Sequence, residues 1–143
     1  MAIKSELLEQ LIAIRREHNE FMKLADIAIV DAGEGTARLE FTAAPKHINP
    51  QGVVQGGVMM TAVDAAMATA LAYLNDKIAT IDMNYHFLGA VHEGEHVVCE
   101  ARVIKPGRRI IVTEGTLKVG EKLVGNATAS FMTSGVPMIE EDA

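Results

Sequence analysis

Tryptophan is absent from these 143 residues, cysteine occurs once, proline four times, and Lys plus Arg number 13 against 19 Asp plus Glu. Each shortage excludes something. A lone Cys99 cannot close an internal disulfide, and its place in Val97-Val98-Cys99-Glu100-Ala101-Arg102-Val103 predicts ordinary strand packing. Few prolines and no low-complexity tract exclude disorder beyond the ends. A net charge of −6 excludes a surface built for nucleic acid or an anionic membrane, since both require clustered cations in excess. The start, Met1-Ala2-Ile3-Lys4-Ser5-Glu6, places charge where a signal peptide carries its apolar stretch, so the expected compartment is the cytoplasm. Apolar residues are plentiful at 49%, and the length supports one domain over residues 1–143 with a real core.

Leu7, Leu8, Leu11, Ile12, Ile14 and Phe21 recur near helical spacing among charges, which predicts a surface helix over about 5–22. Two short apolar runs, Ile27 to Val30 and Ala37 to Thr42, flank Gly33-Glu34-Gly35 and predict a hairpin. Pro45 to Gly52 reads as a loop, because two prolines and a glycine keep it irregular. Val58 to Leu74 is apolar or small on every face, the pattern of a membrane span or of a helix buried on all sides. Its length is at the lower limit for a bilayer and Asp64 lies near its middle, which favours a buried central helix. Beyond Ile78 the period becomes two: Ile81, Met83, Tyr85 and Phe87 alternate with Thr80, Asp82, Asn84 and His86. Val97 to Lys105, Arg109 to Val119 and Lys122 to Thr133 continue as strands joined by short turns, hence antiparallel neighbours. The expected fold is α+β, an antiparallel sheet curled around one apolar helix.

An ionised carboxylate inside an apolar helix is costly unless paired or used. Asp64 is therefore either pinned by a donor as a structural contact or placed in a pocket as general base or nucleophile. Gly56-Gly57 opens the same helix; the first amides of a helix lack intrahelical acceptors and can receive an oxyanion, although a glycine pair also makes a tight turn. Asn49 and Gln55 could each donate to the same oxygen, or merely form a turn and a cap. Eight residues separate Gly56 from Asp64, roughly 12 Å along a helix axis. One reacting carbon cannot touch both from one helix, so a shared site between two copies about a two-fold axis is expected.

His47-Ile48-Asn49-Pro50-Gln51-Gly52-Val53-Val54-Gln55-Gly56-Gly57, followed by Asp64, resembles the signature of the phenylacetate-degradation type of hotdog thioesterases, H-x-N-x-x-G-x-x-H-G-G then D or E. The resemblance continues through Thr80-Ile81-Asp82-Met83-Asn84, Pro106-Gly107-Arg108-Arg109 and Gly125-Asn126-Ala127-Thr128-Ala129-Ser130, covering about residues 40–133. It implies a hotdog fold with a five- or six-stranded sheet, homodimers that often pair into dimers of dimers, and hydrolysis of acyl-CoA without metal or cofactor. On that basis Gly56 supplies the oxyanion amide, Asn49 lies near the acyl carbonyl or the water, Asp64 of the partner is nucleophile or base, and Thr80 helps position water. His47, Gly57, Asp82 and Asn84 fall on the substrate side, and Lys105, Arg108 and Arg109 near the CoA phosphates. The residues agree on the last point, since these cations form the densest basic patch in the later half. Gln55 departs from the usual histidine; it can polarise but not titrate near neutral pH.

His92-Glu93-Gly94-Glu95-His96 matches the zinc pattern H-E-x-x-H, which works only on a helix; a central glycine and an immediate strand predict a turn instead. His86-Phe87-Leu88-Gly89 faintly matches the H-F-x-G of hotdog dehydratases but follows the central helix, where that family places its histidine before it. A non-catalytic acyl-CoA sensor or carrier on the same fold is the alternative function. Met59, Met60, Met67, Tyr73 and Met83 could build an adaptable acyl pocket or be ordinary core, and no acyl group is specified by them.

Overall fold

The period-two segments of the later half become strands β3 (Ala79–Phe87), β4 (His96–Lys105), β5 (Ile110–Val119) and β6 (Lys122–Met132) in a computed structural model that describes residues 2–141. The earlier hairpin is β1 (Ala28–Gly33) and β2 (Thr36–Thr42), and the helices are α1 (Ser5–Glu17), α2 (Glu20–Leu24) and α3 (Gly56–Thr69). All six strands join one antiparallel sheet in the order β1-β2-β4-β5-β6-β3. Strand β3 follows α3 yet lands beside β6, so its outer edge has no strand partner among the described residues.

Helix α3 lies in the curl of the sheet. Met59, Ala62, Val63, Ala66, Met67 and Ala70 recur at three- and four-residue spacing and are fully buried. They meet an inner sheet face that includes Leu39, Phe41, Val97, Cys99, Ile111, Leu117 and Phe131. Burial pushes the Cys99 thiol well above its usual range, with the Glu100 charge adding to the effect, which fits a packing role. Helix and sheet touch closely at Gly115, where a Cβ would stand 2.5 Å from Val63 Cγ2. Gly115→Ala would gain about 0.5–1 kcal/mol from reduced chain entropy, less than the roughly 1–3 kcal/mol that overpacking costs. The expected outcome is a lower urea midpoint with an unchanged m-value.

Three expectations need correction. The N-terminal helix is not continuous: it stops at Glu17, and the Asn19 side chain accepts the Met22 amide at 3.2 Å to cap a second, short helix. The central helix ends at Thr69, not Leu74; a 3-10 turn covers Ala72–Leu74, and Asn75 at φ 49° reverses the chain. Nor is that helix covered on all sides, for Gly57 and Met60 are exposed while Thr61, Asp64, Ala65 and Ala68 are half-buried. The segment Gly56–Leu74 is long and apolar enough to cross a membrane by composition, but here half of it is packed inside the sheet.

Candidate active site

Asp64 emerges from the uncovered flank of α3, and Thr80 Oγ1 donates to its Oδ1 at 3.1 Å. Strict alternation would point Thr80 away from the helix, together with Asp82 and Asn84. A bulge prevents this. Thr80 pairs with Phe131 and Asp82 with Ser130, so Ile81 is an extra residue in the ladder. Such an insertion re-aims the residues before it. Thr80 therefore shares the inner face with Met83, Tyr85 and Phe87, whose partners Ala129, Ala127 and Gly125 are all buried.

A second group gathers at the start of α3. Asn49, Gly56, Met59, Phe87, Gly89 and Val91 belong to the lining of an open cavity of about 400 Å³. Asn49 Oδ1 accepts the amides of Gln51 and Val53 at 2.9 and 3.3 Å, which fixes the orientation of the side-chain amide and leaves Nδ2 as a free donor. Gln55 takes the cap position without a side-chain bond; its backbone N–H donates to His47 and its carbonyl accepts from Val58. Among the described residues neither Gly56 nor Gly57 has an acceptor for its amide, so two N–H groups are unpaired at a helix N-terminus. The ring of Phe87 closes over Gly56, and a Cβ there would lie 3.0 Å from Cε1.

Thr80 and Phe87 occupy opposite ends of β3, so the carboxylate group and the amide group do not meet within one copy. Arg108 and Arg109 are exposed in the β4–β5 turn, and the adjacent Ile110 pairs with Met132, which in turn pairs with Ala79. With Lys105, also exposed, they lie at the Thr80 end of the sheet.

Residues 51–125 match the thioesterase superfamily. The chain belongs to the thioesterase superfamily. Human acyl-coenzyme A thioesterase 13 is 27% identical over 136 residues, covering 94% of this chain and 93% of that protein. The PaaI protein of the Escherichia coli phenylacetic acid degradation operon superposes with a TM-score of 0.88 at 20% identity, over 93% of this chain and 97% of its own. A hypothetical thioesterase of Streptococcus pneumoniae, solved with coenzyme A, has a TM-score of 0.73 at 18% identity, over 80% and 97%. The thioesterase-superfamily sheet and helix described above are thus the hotdog fold.

Within this thioesterase-superfamily chain some site candidates stand apart. His47 is buried; its Nδ1 accepts the Ala44 amide at 2.9 Å and its Nε2 donates to the Ala25 carbonyl at 2.6 Å, so both ring nitrogens are committed to structure and none is left for substrate. Asp82 and Asn84 face the outer side of the sheet, in a cleft of about 270 Å³ with Thr128 and Ser130, away from Asp64 of their own copy. The two histidines of the zinc-like pattern do not converge: His92 precedes a turn and contacts Glu95, while His96 opens β4 and contacts Glu40. Among the described residues no group of three or more His, Cys, Asp or Glu is arranged to hold a metal. Tyr85 lies across Gly125, where a Cβ would meet its hydroxyl at 2.0 Å; burial first, then the Cys99 charge, pushes its pKa up to about 12.

Arg15 was not legible as a site residue from its charge. It is half-buried, its Nε donates to Thr69 Oγ1 at 3.2 Å, and Thr69 Oγ1 donates to the Ala65 carbonyl at 2.6 Å. Burial lowers its pKa while Asp64 opposes that shift, which places the guanidinium within electrostatic reach of the carboxylate. A signal was present. Leu8, Leu11, Ile12 and Arg15 share one helical stripe, so the arginine stands where α1 turns inward.

Proposed function

We propose that the protein hydrolyses acyl-CoA thioesters as a homodimer whose two sites are each completed by both copies. The observation that carries this reading is the separation of two incomplete groups along one unpaired edge. Strand β3 is exposed at every position but Met83 and Tyr85, with Ile81 and Phe87 48% and 59% exposed. A long edge of this kind invites pairing with another strand. Thr80 and Phe87 are seven residues apart, about 23 Å in a strand. Antiparallel pairing of two β3 edges about a two-fold axis between Met83 and Asn84 sets Thr80 against Phe87 of the second copy. The amide of Gly56, beneath that Phe87, then arrives beside Asp64.

In this arrangement the thioester oxygen accepts from Gly56 N–H, with Asn49 Nδ2 as a second donor. Asp64 acts from the other copy as nucleophile or as base toward water. As charge builds on the carbonyl oxygen the helix N-terminus stabilises it, the C–S bond breaks, and CoA leaves as thiol. Thr80 holds the carboxylate, Gln55 polarises without titrating, and Lys105, Arg108 and Arg109 meet the phosphates. Two such dimers pair in turn, and the cytoplasm is the compartment.

Incubation with a panel of acyl-CoAs, following free thiol, tests the reading. Turnover is the expected result. Tight binding with no thiol released supports instead a sensor or carrier, a reading favoured by Gln55 where histidine is usual. Thr80→Val should reduce turnover about 10- to 100-fold, the worth of a hydrogen bond to a charged group, without lowering the melting temperature. An unchanged rate would show that Thr80 only packs.

A further inference from the structure

Between α1, β1 and the flank of α3 lies a cavity of about 470 Å³, distinct from the one at Gly56. Met22, Ile27, Leu39 and Ala65 give it an apolar floor, and α1 contributes Arg15 and Arg16. The charges around it are unequally matched. Lys23 pairs with Glu20, and Lys46 with Asp26. Among the described residues neither arginine has a carboxylate partner. Arg16 is held by the Ile29 carbonyl at 2.9 and 3.1 Å. Arg15 uses only Nε, on Thr69, and its two terminal nitrogens have no acceptor among the described residues. The Asp64 carboxylate is within electrostatic reach of Arg15 but makes no ion pair with it, and a half-buried guanidinium whose terminal nitrogens are unbonded is costly until an anion binds them directly.

The cavity lies beside the stretch of α3 that follows Asp64. Ala65 in its floor follows Asp64 directly, and Thr69 in its wall lies five residues beyond Asp64, about 7.5 Å along the helix axis. That is the reach of a chain of roughly six carbons. With Thr80 on the β3 side of Asp64, the acyl group has this side in which to lie.

We propose that this cavity takes the acyl part of a CoA monothioester of a medium-length dicarboxylic acid, with Arg15 and Arg16 receiving the distal carboxylate; the proposal rests on the thioesterase reading. Water adds to the thioester carbon, the C–S bond breaks, the thiol of CoA takes a proton, and the second product is the free dicarboxylate. A neutral fatty acyl chain of equal length would fill the same floor but leave Arg15 without a partner, and sites built around a buried polar contact discriminate strongly against ligands that lack it.

Rates with adipyl-CoA and hexanoyl-CoA, equal in carbon number, provide the test. The wild type should favour adipyl-CoA in kcat/KM by at least about tenfold, and Arg15→Met should abolish that preference by lowering the adipyl value at least about tenfold more than the hexanoyl value. Hexanoyl-CoA turned over as well as adipyl-CoA, or an equal loss for both substrates in the variant, overturns the proposal. If Arg15→Met does not fold, the wild-type ratio decides alone. If no acyl-CoA is hydrolysed, the thioesterase reading fails separately, and calorimetry with free adipate and hexanoate decides the cavity: tighter binding of adipate supports it, equal or absent binding overturns it.

Discussion

Asp64→Asn should lower thioester turnover by about 10²- to 10⁴-fold, the usual worth of a positioned base, with folding and CoA binding retained. Asparagine matches the shape of the carboxylate, and its Oδ1 can still accept the Thr80 hydroxyl that now lies 3.1 Å from the aspartate. What is lost is the negative charge and the lone pair that could take a proton or attack carbon. Because the side chain is half-buried on the uncovered flank of α3, the substitution leaves no cavity and breaks no core contact, so stability should barely move. Thiol-release rates, melting temperature and CoA titration on the same preparation separate the two effects. Full activity in the variant would remove Asp64 from the chemistry.

Gly56→Pro should reduce turnover about 10²- to 10³-fold relative to Gly56→Ala, the worth of one oxyanion donor. Proline deletes the N–H in question, and the fold tolerates it there for stated reasons. The position is the first of α3, where that N–H has no acceptor among the described residues and proline is favoured. Gln55, at φ −54° and ψ 133°, already has the backbone that precedes a proline. Both variants place a Cβ about equally close to the Phe87 ring, so alanine controls for the crowding that a Cβ 3.0 Å from Cε1 produces. Equal rates in the two variants would move the oxyanion to Gly57 or Asn49.

Much of this was legible in sequence because hydrophobic period is set by local geometry. Six strands and the buried face of α3 follow from alternation and small-residue spacing; the segment before α3 reads as irregular, but Pro45–His47 forms a 3-10 turn, which proline favours at its start. Thr80 shows where period fails. Ile81 fits the apolar register by type, so nothing in the alternation reveals that it is the extra residue of a bulge, and only the pairing with β6 fixes Thr80 toward Asp64. For His47 the motif does not reveal the surroundings: its two nitrogens are satisfied by Ala44 and Ala25, the second 22 residues distant, a contact no local pattern encodes. Arg15 reaches Thr69 across 54 residues for the same reason. Asn19 starts α2 with its side chain and Asn75 closes the 3-10 turn in a left-handed backbone, local preferences that interrupt the regular helical pattern.

The central claim is that Gly56 of one copy works with Asp64 of the other, and subunit exchange tests it most directly. Asp64→Asn and Gly56→Pro, each nearly inactive alone, are mixed and allowed to reassort by unfolding and refolding together. About a quarter of wild-type activity should return, since half the dimers are mixed and one of the two sites in each has both groups intact. A mixture no more active than its separate components would place both groups in sites belonging to single copies and contradict the account.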